Sequence, residues 1–247
     1  MTDGVLLEVC VDSLESALAA EQGGAQRLEL CAELGVGGVT PSAGLLAAVL
    51  EHVSLPVVVL VRPRSGDFLY TRAEVQTIER DIHAAREAGA AGVALGALTA
   101  DGEIDRACTA HLVECAGPLQ VTFHRAFDML RDLPAGVDQI AELGIGRILT
   151  SGGRASVPDA LPVLADLVRH AAGRVSIMPG GGVRPGQAAG IVARTGVHEL
   201  HASASGRRPS GMRHRNPQCS LTPTPPDESV QTFTDADVVR ALREAIG

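Results

Sequence analysis

The chain has 247 residues, 45% hydrophobic but only 2% aromatic, and a formal net charge of −8 at pH 7. The acidic balance argues against a nucleic acid or an anionic membrane as partner, and the scarcity of rings argues against a stacking platform for single strands. The 21 basic side chains other than histidine are all arginine, so Schiff-base chemistry on a lysine is excluded.

In chain order, β-type runs at 5–11, 27–32, 57–63, 92–98, 120–126, 147–153, 175–182 and 199–205 alternate with helical stretches. The helices are expected at 12–24, 41–53, 71–88, 105–116, 134–143, 158–172, 185–195 and 234–246. Their ends carry local signals. Asp12-Ser13 and Thr40-Pro41 read as helix starts, Thr71 with Glu74 as a capping box, and Gly89, Gly117, Gly144, Gly173 and Gly196 as stops. Strands that alternate with helices pair in parallel, because each helix returns the chain to the same edge. Eight such units in 247 residues predict one α/β domain over 1–247, a (β/α)8 TIM barrel. The segment 206–233, between the eighth strand and the last helix, is long and rich in Arg, Pro, Ser and Thr. It reads equally as a lid over the strand ends or as a disordered loop.

In this fold the C-terminal strand ends face the active site. Those ends carry Glu8, Cys10, Glu29, Cys31, Arg62, Arg64, His124, Ser151, Gly180, Gly181, Gly182 and His201. Leu7-Glu8-Val9-Cys10 recurs as Leu28-Glu29-Leu30-Cys31, which puts two carboxylates and two sulfurs on one face of neighbouring strands. A carboxylate inside a barrel needs a partner, and Arg62, Arg64, Arg125 and His124 are the expected ones. Two like charges buried together separate in pKa, leaving one protonated near neutral pH. Glu8, Glu29 and His124 are therefore candidates for acid–base work or for a divalent metal. The bland alternative is an ion-pair network that closes the barrel mouth. Arg62, Arg64, Arg125, Ser151 and His201, with the Gly180–Gly182 turn, are candidates to hold a small anionic metabolite, phosphorylated or not. Glycine there lets a ligand approach the backbone closely, although strand-to-helix turns need glycine in any case. Cys10 and Cys31 are either interior packing residues or soft ligands of the kind that favours Cu(I).

Five cysteines, an odd number, give no sign of a disulfide scaffold and imply a reducing cytoplasm. Met-Thr-Asp-Gly at the start has no basic region followed by an apolar stretch, so no signal peptide is expected.

The runs Leu7-Glu8-Val9-Cys10-Val11-Asp12-Ser13, Arg27-Leu28-Glu29-Leu30-Cys31 and Arg62-Pro63-Arg64 resemble the CutC copper homeostasis family. So do Phe123-His124-Arg125-Ala126-Phe127-Asp128, Leu149-Thr150-Ser151-Gly152-Gly153, Met178-Pro179-Gly180-Gly181-Gly182 and Met212-Arg213-His214-Arg215-Asn216-Pro217. The resemblance keeps the family's motif order from about Val5 to about Ser220. It implies a TIM barrel, a cytoplasmic setting and a link to copper, with Cys10 and Cys31 at the positions that would hold Cu(I). A homo-oligomer is expected. Two functions stay open at this point: Cu(I) binding through the strand-end cysteines, or an enzyme acting on a small anion by Glu/His acid–base or divalent-metal chemistry.

Overall fold

The computed structural model describes residues 4–216, 218–219 and 229–247. Eight strands form the barrel: β1 (Leu6–Val11), β2 (Arg27–Leu30), β3 (Val57–Leu60), β4 (Gly92–Leu95), β5 (Gln120–Phe123), β6 (Arg147–Thr150), β7 (Ser176–Pro179) and β8 (Glu199–Ala202). The helices between and after them are α1 (Leu14–Gln22), α2 (Ala43–His52), α3 (Arg72–Ala88), α4 (Arg106–Ala116), α5 (Leu133–Glu142), α6 (Leu161–Ala171), α7 (Pro185–Thr195) and α8 (Ala236–Ile246). The strands pair in parallel in sequence order, and β1 also pairs with β8. A parallel bridge between Gly180 and His201 joins the end of β7 to β8 and completes the ring.

Alternate residues of each strand face opposite ways. Val9, Val11, Leu28, Leu30, Val57, Val59, Val93 and Leu95 point outward and pack with the helices into one large aliphatic layer. The inner face is different. It has a small apolar cluster of Cys10, Cys31, Val58, Leu60 and Ala94, and beside it a set of buried charges. Each fully buried aliphatic side chain contributes about 1.5–3 kcal/mol. The sheet–helix layer therefore supplies most of the hydrophobic stabilisation, and the interior is left free for chemistry.

Local chemistry fixes the helix ends. Ser13 Oγ accepts from Ser16 N at 3.1 Å. Thr71 and Glu74 form the expected reciprocal box, with Thr71 N donating to Glu74 Oε2 at 2.7 Å. The second helix departs from expectation. Ser42 caps it by accepting from Leu45 N at 3.1 Å, so it begins at Ala43 and Pro41 lies outside.

The segment 206–233 holds more structure than expected. A ninth strand, β9 (Ser205–Pro209), pairs antiparallel with a tenth, β10 (Val230–Thr234). Arg208 anchors this ribbon, stacking 5.1 Å from the Phe233 ring centroid and pairing with Glu15 of α1 at 2.9 Å. Ser-Gly-Arg-Arg-Pro lacks the apolar alternation that marks a strand, which is why the sequence did not reveal it. Residues 217 and 220–228 of the expected lid or loop lie outside the described residues.

Candidate functional site

The buried charges form a ladder across β1, β2 and β8. Cα register sets Glu8 beside Arg27 on one side and beside His201 on the other, and sets Cys10 beside Glu29. All of these side chains share the interior face. Arg27 Nε donates to Glu8 Oε2, and Arg27 Nη2 donates to Glu199 at 2.5 Å. Glu199 also accepts from Arg147 Nε at 2.5 Å, so two arginines and one carboxylate form the lower layer. Above it, Glu8 Oε1 lies 2.8 Å from His201 Nδ1, and His201 Nε2 lies 3.8 Å from Glu29 Oε2.

The two glutamates separate in pKa, mainly because burial acts on both and the neighbouring cations outweigh it only for Glu8. Burial alone would raise the pKa of Glu8. The hydrogen bond and charge of His201, then the charge of Arg27, override burial and hold it at about 2. Glu29 moves the other way: burial dominates, and Glu8 adds to the rise. His201 is opposed by burial but is raised overall by the Glu29 charge and the Glu8 hydrogen bond, which favours the imidazolium.

The expected partners of the two glutamates were wrong in identity. Arg27 and His201 do the pairing, whereas Arg62, Arg64, Arg125 and His124 do not. Arg64 turns outward and is held by Glu74 at 2.5 Å and Asp67 at 2.9 Å, outside the cavity at the strand ends. Arg62 is buried, with its terminal nitrogens donating to the carbonyls of Val36, Gly38 and Gly66 at 2.7–3.1 Å. Ser151 is also withdrawn from the cavity. Its amide donates to Asp128 at 2.9 Å, and its hydroxyl accepts from Arg125 at 2.8 Å. Asp128 further accepts from Thr150 Oγ1 at 2.5 Å, from Gly153 N at 3.0 Å and from Arg125 Nε at 2.8 Å. The anion seat that the Ser151–Gly153 turn offers is thus filled by the chain's own carboxylate.

A cavity of about 400 Å³ opens at the C-terminal strand ends. Of the residues expected at the site, Cys10, Glu29, Arg62, His124, Arg125, Gly181, Gly182 and His201 line it. Glu8 lies beneath His201, and Gly180 is packed so tightly that an added Cβ would fall 2.5 Å from Leu149 Cδ1 and 3.0 Å from His201 Cβ. Cys31 is fully buried beside Cys10, with their sulfurs 3.5 Å apart and no disulfide between them. The Cys10 thiol is pushed well up, first by its hydrogen bond with Cys31, then by burial and by Glu29. Ligand atoms of Cys10, Glu29 and His201 lie within 4.8 Å of one another.

His124 sits apart from this group. Its Nδ1 accepts from Ala126 N at 3.2 Å, and the Phe68 ring packs 5.1 Å away, centroid to centroid. Burial, then the nearby Arg62 charge, lowers its pKa to about 3, so the ring is neutral at physiological pH. Arg27 and Asp128 are site residues to which sequence reasoning gave no role. Both had a readable signal: Arg27 alternates with Glu29 and Cys31 on one strand face, and Arg125 with Asp128 has the spacing of an ion pair.

The fold and site together define a (β/α)8 barrel whose mouth presents a thiol, a carboxylate and an imidazole at metal-ligating distance. Comparison with known proteins gives the family. The CutC family model matches residues 5–206, and the chain belongs to the CutC family. A family protein CutC of Chromobacterium violaceum is 46% identical over 241 residues, 98% of each chain. The human copper homeostasis protein cutC homolog is 46% identical over 219 residues, 89% of this chain and 80% of its own. The crystal structure of the putative copper homeostasis protein CutC from Streptococcus agalactiae superposes with a TM-score of 0.78 at 32% identity, covering 81% of this chain and 98% of that one. No helix among the described residues is long and apolar enough to cross a membrane.

Proposed function

We propose that this chain is a cytoplasmic copper-homeostasis protein that binds Cu(I) through Cys10 and Cys31. One observation carries the reading: two unoxidised sulfurs 3.5 Å apart, of which Cys10 lines an open cavity with Glu29 and His201 beside it and Cys31 is buried behind it. Soft thiolates favour Cu(I), and the donor chemistry fits that ion. Unpaired cysteines also suit a reducing compartment. Because the Cys10 thiol is raised, it is protonated before metal arrives, so copper uptake displaces protons and weakens as pH falls. A homo-oligomer belongs to the same reading. Val36, Leu69 and Met129, on the loops after β2, β3 and β5, are exposed apolar surface that a second copy would cover.

The test is a titration of the reduced protein with Cu(I) against a competing chelator, beside Cys10→Ser, Cys31→Ser and the double variant. Each variant is expected to abolish stoichiometric binding while the far-UV circular dichroism is unchanged. Binding that survives in a folded double variant would remove the cysteines, and with them this reading. A parallel Zn(II) titration checks the mixed Cys10–Glu29–His201 donor set, which suits a divalent ion better than the sulfur pair does.

A further inference from the structure

The opposite wall of the cavity has unused donors. Arg62 and His124 both line it, and both are more than nine-tenths buried. Arg62 Nε and His124 Nε2 have no hydrogen-bond partner among the described residues. The His124 tautomer is fixed: Nδ1 accepts from the Ala126 amide, so the neutral ring carries its proton on Nε2. Both orphan atoms are therefore N–H donors. Phe68 joins the two residues, its ring centroid 4.9 Å from Arg62 Cζ and 5.1 Å from the imidazole. The three hydrogen bonds of the Arg62 guanidinium all end on neutral carbonyls, and no carboxylate among the described residues pairs with this buried cation. Such an arrangement is costly unless an acceptor completes it.

The rest of the wall has the same polarity. Arg184 lines the mouth at the start of α7, and no carboxylate among the described residues meets its guanidinium. The amides of Gly181 and Gly182 have no acceptor among the described residues, and both glycines have the positive φ that turns them into the mouth (111° and 75°). A protein of net charge −8 thus presents, on the wall opposite Glu29, two arginines that pair with no carboxylate among the described residues. The turn after β6 shows what such donors accept. There the Asp128 carboxylate takes the Ser151 and Gly153 amides and the Arg125 guanidinium. After β7 no such internal acid is supplied.

We propose that this cavity binds a small organic oxyanion, a carboxylate or a phosphate ester, with its charged oxygens between Arg62 Nε and His124 Nε2 and its remainder toward Gly181, Gly182 and Arg184. Its volume of about 400 Å³ is within the range of metabolite pockets, and Leu34, Leu60, Leu149 and Val183 give its wall an apolar part. Both donor atoms are enclosed, with the Phe68 ring packed against both residues, so that ring must shift as the oxyanion enters. The donors lie on the wall of the same cavity that Cys10 lines, but none of them is a candidate copper ligand, so the test uses metal-free protein.

The test uses glyoxylate, glycerol 3-phosphate and inorganic phosphate, with glycerol as the uncharged control, read by calorimetry and by thermal unfolding. A charged probe is expected to bind saturably and raise the unfolding temperature, with glycerol inert. Binding of glyoxylate assigns a carboxylate, and binding of glycerol 3-phosphate but not glyoxylate assigns a phosphate ester. Binding should weaken at least about tenfold in His124→Phe. It should also weaken in Arg184→Ala, whose exposed side chain supports nothing else. Either no saturable binding of any charged probe, or equal binding by wild type and both variants, overturns the proposal.

Discussion

His124 gives the most direct check on the physics of this barrel. Its folded pKa of about 3 lies below its ordinary value of 6.5, because burial and then the Arg62 charge both oppose the imidazolium. A depressed histidine contributes stability that is fully present above 6.5 and is lost as pH falls toward its folded value of about 3, since the unfolded chain takes up the proton first. One pKa unit corresponds to about 1.4 kcal/mol. Between neutrality and pH ~4 the protein should therefore lose about 3 kcal/mol through this group alone. His124→Phe removes the titration and fills the same space beside Phe68 and Phe123. Its stability at neutral pH should fall by about 1–3 kcal/mol, because the lost Nδ1 leaves the buried Ala126 amide without its acceptor, whereas the deleted Nε2 donor has no partner. Between neutrality and pH ~4 it should gain about 3 kcal/mol relative to wild type. Urea unfolding followed by far-UV circular dichroism at several pH values measures both differences, and the absence of tryptophan makes that probe the natural one. Parallel loss of stability in both proteins between neutrality and pH ~4 would refute the reasoning. The imidazole would then be solvated or already paired in its charged form.

Two further perturbations test the charged layers. Arg27→Met leaves Glu8 and Glu199 inside the barrel without their shared cation, and should cost about 3–5 kcal/mol by urea unfolding at neutral pH. An unchanged midpoint would mean that Arg147 and His201 neutralise the interior unaided. Asp128→Ala frees the Ser151 and Gly153 amides and should cost about 3 kcal/mol, partly restored by millimolar formate in a thermal-unfolding assay. If formate affects wild type and variant alike, the carboxylate is not filling an anion seat.

The barrel was legible because its signals are local and repeated: short β-branched runs, capped helices and glycine stops. Burial of each strand on both faces confirms the reason, since Val57–Leu60 offers no alternation and can sit only in a parallel sheet covered on each side. The site was legible where it depends on one strand. Glu8 with Cys10, and Glu29 with Cys31, share the interior face as the repeat required, and the pKa values of the two glutamates diverge, through burial and unequal pairing with His201 and Arg27 more than through mutual repulsion. Where the reading failed, strand length or long-range closure decided the outcome. β3 ends at Leu60, so the chain after it is already turning, and Arg64 swings out to Glu74 instead of following Arg62 inward.

The partner of Glu8 shows the harder case. His201 is 193 residues away in the chain yet hydrogen-bonded to Glu8 at 2.8 Å, because a closed ring makes its first and last strands neighbours. An open sheet with the same strands would leave Glu8 at an edge, with only Arg27 to neutralise it. Closure adds a second cation to a buried carboxylate and places that cation between the two glutamates. The thiol, carboxylate and imidazole at the mouth are therefore a product of the seam between β1 and β8. A substitution that weakens this seam should disturb metal-ligand geometry before it disturbs the fold, because the sheet–helix layer that carries most of the stability is continuous around the ring.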